Sequence, residues 1–179
     1  MNKETSWNAL AKGRHMIQTP GKTFHIHLSP AWKWAGAVWL CSQVILTLLG
    51  LTLWNSGLIP PTNEHYYSVQ PARSALIGAW QRWDTLHYQR IVDGGYASSE
   101  ELSAFFPLYP LLAKGLAAVF GMDSLPALLI VSRLAFLVAL FAGYRIFEQD
   151  GNETAAKIAT ASMALLPTSF FFLAGYPQA

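Results

Sequence analysis

The stretch AWQRWDTLHYQRIVDGGY, residues 79–96, sets one carboxylate, Asp84, among Trp80, Trp83 and Tyr88, with Arg82, His87 and Arg90 close by in the chain. A carboxylate surrounded by apolar rings loses hydration and holds a proton more readily, which suits a general base. Arg82, His87, Arg90 and Arg73 could bind an anionic group such as a phosphate on a lipid carrier. Two plainer readings stay open: Asp84 in an ion pair with a neighbouring cation, and the cations on anionic lipid headgroups. Lys114 and Arg133 could reach the same site or snorkel to a membrane interface. The run AFFPLYP, with Phe105, Phe106, Pro107 and Pro110, reads either as an aromatic platform that stacks on a sugar ring or as a rigid structural corner. His65, Tyr66 and Tyr67 read as ordinary interface residues.

No zinc-ligand spacing, glycine-rich nucleotide loop or serine-hydrolase elbow occurs in the sequence. No metal ligands and no cofactor are therefore assigned, and direct use of a nucleoside triphosphate is not expected. The match of NET at Asn152 to a glycosylation sequon is too short to carry weight. Cys41 stands alone, which rules out an internal disulfide and leaves the redox compartment open.

The elements that must position these groups follow from composition. Of 179 residues, 53% are hydrophobic and 12% charged, with a mean hydropathy of +0.27. A soluble surface ordinarily needs about a quarter charged residues, so the expected class is an all-α membrane protein. The net charge of +2 is too small and too scattered to suggest a nucleic-acid partner.

Residues 1–33 form a polar arm in which Lys3, Lys12, Arg14, Lys22 and Lys33 face Glu4 alone. It is too long and mixed for a cleaved signal peptide, and its basic bias puts the N-terminus in the cytoplasm. Residues 34–56 are the first transmembrane helix. From Trp34 to Trp54 there is no charge, enough for a hydrocarbon core of ~30 Å at ~1.5 Å per residue, and Trp32, Trp34 and Trp54 sit at the ends as interface rings do.

Residues 57–125 then form an external loop. Within it Leu76, Trp80, Trp83, His87 and Ile91 follow helical spacing, which predicts one amphipathic helix ended by Gly94 and Gly95. On that helix Trp80, Asp84 and Tyr88 share a face. The piece 107–121 reads as a juxtamembrane helix or as a short span, and the choice reverses the sidedness of everything after it. Residues 126–147 are a transmembrane helix with Pro126 in its first turn and Arg133 inside. Residues 148–154, EQDGNET, are a connector. Residues 155–179 are a further transmembrane helix that Pro167 should kink or break. The apolar ending YPQA leaves a three-span bundle that reads as truncated.

The pattern W-x-R-W-D-x-x-x-Y-x-x-I-x-x-x-G-Y is carried by Trp80, Arg82, Trp83, Asp84, Tyr88, Ile91, Gly95 and Tyr96. It is followed by AFFPLYPLL and later by LLPTSFFFLAGYPQA. These blocks resemble, in order and spacing over residues 34–179, the PIG-V family of integral membrane mannosyltransferases, the GPI mannosyltransferase 2 type and its bacterial relatives. The resemblance implies a GT-C-like multi-span helical bundle with juxtamembrane helices in the first external loop. It implies a polyprenyl-phosphate-mannose donor, a glycan or lipid acceptor of unknown identity, and no soluble sugar nucleotide. By position Asp84 matches the family's Trp-Asp acid and Trp83 its tryptophan. Gln178 stands where relatives commonly carry a glutamate, so no acid acts there. The expected location is the bacterial plasma membrane, with the endoplasmic reticulum membrane as the alternative.

A phosphate-linked sugar already carries a good leaving group. Inverting transfer therefore needs chiefly one base for the acceptor hydroxyl, whereas hydrolysis of a glycoside commonly uses two carboxylates. Asp84 would be that base, with Trp83, Arg82, His87, Tyr88 and Arg90 around the substrate. The competing expectation is a non-catalytic membrane scaffold or transporter fragment, although transporters place their charges near the bilayer centre.

Overall fold

A computed structural model describes residues 29–58, 72, 74–150 and 152–172, with residues 150 and 167 described by backbone alone. The elements, in chain order, are α1 (Pro30–Asn55), α2 (Ala75–Gly78), α3 (Asp84–Gly94), 3-10 turns at Tyr96–Ser98 and Glu100–Ala104, α4 (Leu108–Phe120), α5 (Ser124–Asp150), α6 (Glu153–Leu165) and a 3-10 segment at Pro167–Phe172. Among the described residues there is no strand, and the chain is all-α as its composition predicts. Arg73, His65, Tyr66, Tyr67, Gln178 and the arm 1–28 lie outside the described residues.

The first long helix, α1, is built inside out relative to a soluble bundle. In α1 the residues turned inward are Ala31, Ala35, Ser42, Gln43 and Gly50, while Leu40, Val44, Ile45, Leu48 and Leu49 are all more than half exposed. Small residues let helices approach closely where lipid, rather than water, surrounds them. Large apolar side chains left on the outside need such a solvent. With 26 residues each and mean hydropathies of 1.8 and 2.3, the apolar stretches of α1 and α5 are long enough to cross a membrane.

α1 starts at Pro30, whose missing N–H costs nothing in a first turn. α5 runs into the expected connector as far as Asp150, and Arg145 Nη1 donates to Glu148 Oε2 at 2.9 Å along its last turns. Asn152 then caps α6 by accepting from the Ala155 N–H at 2.9 Å. The α-helix ends at Leu165, ahead of the proline that removes a backbone donor, and the chain continues as a 3-10 segment.

α5 is the element on which α1, α3, α4 and α6 all pack. Phe136 and Leu140 on it are fully buried in one cluster with Ala35, Trp80, Leu129 and Ala164. Its first turns meet a second cluster of Tyr88, Ile91, Leu102, Tyr109 and Ala113 through Ala127 and Leu128. Side-chain donors pin the helices to one another's carbonyls: Trp39 Nε1 to Arg133 O at 2.8 Å, Tyr109 Oη to Leu128 O at 3.0 Å, and Ser132 Oγ to Phe172 O at 2.9 Å.

α4 has 13 residues, about 20 Å of helix, short of the ~30 Å of a hydrocarbon core. It buries Tyr109, Pro110 and Ala113 and exposes Leu108, Leu111, Leu112, Val119 and Phe120. Gly121, at φ 63°, closes it in the left-handed cap that glycine tolerates.

The single amphipathic helix expected through Leu76, Trp80, Trp83, His87 and Ile91 is replaced by two pieces. α2 stops at Gly78, the chain turns through residues 79–83, and α3 begins at Asp84. Trp80 and Asp84 therefore do not share a helical face. The reason is tertiary: Trp80 leaves the helical path to enter the core, its ring against Gly50, where a Cβ would sit 3.4 Å from Cζ2.

Gly78 packs still closer, since a Cβ there would lie 2.7 Å from Cη2 of Trp54. A rigid indole cannot absorb that overlap. Gly78→Ala should cost about 1–3 kcal/mol, measured as a lowered melting temperature in detergent, with a shift in tryptophan emission as Trp54 is displaced.

Candidate functional site

The turn between α2 and α3 carries the chemistry. Gln81, 1% exposed, accepts from the Ala72 N–H through Oε1 at 2.7 Å and donates through Nε2 to Oε1 of Gln89 at 2.9 Å. Beyond it the Thr85 N–H donates to Arg82 O at 3.0 Å, and Trp83 between them adopts φ 44° and ψ −127°. Those angles belong to the first central position of a type II′ turn, ordinarily a glycine site. A tryptophan there is strained by about 1–3 kcal/mol. Trp83 is the one described non-glycine residue with positive φ.

The turn leads Asp84 into the first turn of α3, where the helix dipole and free N–H groups favour a carboxylate. Asp84 is exposed on the protein. The covering of apolar rings that the sequence suggested is therefore not supplied by this fold, because Trp80 has gone into the core and Trp83 points elsewhere. Trp83, 59% exposed, lies 5.9 Å from Phe170 and 6.3 Å from Phe171, tilted to both rings. Arg82 lies over the Trp54 ring at 5.8 Å, a cation–π distance. Burial lowers its pKa from the ordinary arginine value, and a guanidinium so placed stays charged at neutral pH.

Arg82 and Trp83 also line a groove of about 690 Å³. One wall is α1, through Ser42, Leu46, Leu49 and Leu53; the other is the end of α6 and the segment after it, through Ala164, Leu166 and Phe170. Its size is that of a small-molecule site, and its lining side chains are mainly apolar, with Arg82 and Ser42 among the exceptions.

The remaining expected site residues go elsewhere. Tyr88 is buried, edge-on to Phe105 at 5.1 Å and to Tyr109 at 4.9 Å. Burial, then the negative charge of Asp84, pushes its hydroxyl up to about 12. His87 stacks on Phe105 at 5.0 Å. Arg90 Nη1 meets Glu101 Oε1 at 2.5 Å, and that bond holds the Glu101 carboxyl below its usual range. In AFFPLYP, Phe105 packs on α3, Phe106 is 80% exposed, Pro107 caps α4 and Pro110 is buried.

The structure thus brings Asp84, Trp83 and Arg82 to one place, puts His87 and Arg90 beside Phe105 and Glu101, and sends Tyr88 inward. Sequence reading missed Gln81, Gln89 and Glu101. Nothing in a glutamine pair eight residues apart marks it as a buried bridge until the chain is seen to turn between them. Among the described residues no three His, Cys, Asp or Glu side chains gather as metal ligands.

The chain is similar to the GPI alpha-1,6-mannosyltransferase 2 of Cricetulus griseus, 31% identical over 153 residues, in a match that takes in 75% of this chain and 31% of that protein. It thus spans under a third of the length of the relative it matches. No protein-family model matches the chain. No solved structure matches it either.

Two outcomes follow from the geometry. Trp83→Gly removes a strained φ and an exposed ring, so the melting temperature should hold or rise, by up to about 2 kcal/mol of stability once the flexibility of glycine in the unfolded chain is offset. Because the folded pKa of Glu101 is lowered, its pairing with Arg90 is present above the ordinary carboxylate range and lost as pH falls through the folded value. Acid titration should therefore loosen the 3-10 turn at Glu100–Ala104 in the wild type, read as faster amide exchange, and Glu101→Gln should show that loosening already at neutral pH.

Proposed function

We propose that the protein is a glycosyltransferase, a mannosyltransferase of the GT-C type. It transfers mannose from a polyprenyl-phosphate-linked donor to an acceptor hydroxyl on the external or lumenal face of a membrane. The observation that carries the proposal is the junction itself: an exposed carboxylate follows directly on an arginine and a tryptophan that line an apolar groove. The similarity to a GPI mannosyltransferase supports the same chemistry and the choice of sugar.

In this reading the groove takes the hydrocarbon chain of the donor and Arg82 meets its phosphate. Asp84 accepts the proton of the acceptor hydroxyl. The acceptor oxygen bonds to the anomeric carbon from the face opposite the phosphate, the carbon–oxygen bond to phosphate breaks, and the phosphate leaves with the electron pair, inverting the centre. Arg82 stabilises the charge that builds on the leaving oxygen. Trp83 offers its exposed face to the sugar. His87 and Arg90, further along α3, lie on the side from which an acceptor approaches.

The topology proposed with it has residues 1–33 in the cytoplasm, α1 as the first span, and 57–125 outside with α3 and α4 at the membrane surface. α5 and α6 with its following segment return into the bilayer. Exposure of Asp84 to water or headgroups, rather than to the bundle interior, favours this over a transporter, where the acid would sit near the midplane.

Full-length protein supplied with polyprenyl-phosphate-mannose tests the reading. Asp84→Asn should lower transfer by about 10²–10⁴-fold, and Arg82→Ala should lower kcat with a raised KM for the donor. Wild-type transfer by the Asp84→Asn protein would remove the general-base role, and labelling of Asp84→Cys from the cytoplasmic side alone would contradict the topology.

A further inference from the structure

The geometry points to Gln81 as the positioning residue of the site: its amide holds the strained turn at Trp83 and thereby fixes where Asp84 stands relative to the groove. This inference rests on the glycosyl-transfer reading for its catalytic consequence and on the structure alone for its mechanical part.

A bulky residue at positive φ persists only when the surroundings over-determine it. Trp83 itself contributes little to that, being 59% exposed. The constraint comes from the preceding residues. Trp80 is sunk in the core beside Gly50, and Gln81 is clamped from two sides, by the Ala72 N–H at 2.7 Å and by Gln89 at 2.9 Å. Gln89 sits inside α3, on a buried face shared with Thr85 and Val92. One side chain therefore ties the segment before α2 to the body of the helix that begins three residues later. Between the two fixed points the chain has only Arg82 and Trp83 with which to reverse, and the II′-like turn is the short solution.

The consequence falls on Asp84 because it is the first residue of α3. If the turn relaxes to an ordinary φ, the entry of the chain into α3 rotates, and the carboxylate moves away from Arg82 and Trp83. The groove walls drawn from α1 and from the end of α6 stay where they are, while Arg82 and Trp83, which line the groove from the turn, shift with it. Loss of the clamp should thus misplace the base while leaving the binding of the donor's apolar part intact, and small displacements of a reacting group are known to be costly in rate. A glutamine amide suits the position because it is uncharged, so that burial costs far less than for an ion, and because it supplies one acceptor and one donor in fixed relation.

Gln81→Met keeps the side chain's length and removes the bonds to Ala72 and Gln89. In full-length protein in native membranes, assayed with polyprenyl-phosphate-mannose, it should lower kcat by at least about tenfold. A purely structural role would instead reduce the amount of folded enzyme and leave kcat per folded molecule unchanged. Gln89→Met, which spares the bond to Ala72, should give a smaller loss of the same kind, and it serves if Gln81→Met fails to fold. A second measurement is independent of activity: the rate at which a membrane-impermeant maleimide labels Asp84→Cys should change by at least about threefold when Gln81→Met is added. Unchanged kcat, or a raised KM with kcat intact, would overturn the catalytic part. An unchanged labelling rate would overturn the positioning itself. Absence of transfer by the wild type would end the transferase reading, and the labelling comparison then decides the positioning alone.

Discussion

The packing of the other helices on α5 is the contact on which the rest of the structure depends. Phe136, Leu140 and Tyr144 are fully buried along it, and Leu128 near its start is buried too. α1 and α6 cover its later turns; α3 and α4 cover its beginning. Because the large apolar residues of α1 face outward, the inward contacts are made by small residues and by indole N–H groups reaching backbone carbonyls. Such contacts are short-ranged and geometrically strict, so α5 sets the distance between the wall formed by α1 and the wall formed by the end of α6. The groove is the space left between them.

The site arises where this frame meets the α3–α4 layer. Trp80 belongs to the first core cluster and Tyr88 to the second, although they lie close together in the chain. The chain must therefore cross from one cluster to the other over Gln81–Thr85. It cannot do so as a continuous helix, since a helix would carry Trp80 and Asp84 down one face. The crossing leaves Arg82 over Trp54, Trp83 in a left-handed conformation and Asp84 at a helix start. Strain at Trp83, a charge in the groove lining and an exposed acid are three results of one crossing.

Much of this was legible beforehand. The helical class, the two long apolar helices, the glycine stop of α3 at Gly94 and Gly95 and the end of α6 before Pro167 follow from hydrophobic runs and from residues with special backbone demands, which act locally. The candidate acid stood out because a carboxylate set among two tryptophans and a tyrosine is rare in so apolar a chain. The continuous amphipathic helix failed because spacing counts only which residues are apolar. It cannot distinguish a tryptophan that lines a helix from one that leaves it for a distant glycine such as Gly50.

From its residues alone the chain is helical, apolar enough for a membrane, and marked by one acid in an aromatic and cationic setting. Those properties reside in composition and in residues within a few positions of one another. Packing of the helices settled that Arg82 and Trp83 line a groove, that Tyr88 is core, that Arg90 answers Glu101, and that Asp84 is exposed at a helix start. Each depends on contacts between residues far apart in the chain, above all the burial of Trp80 against α1 and α5, and such contacts exist only once the helices have packed.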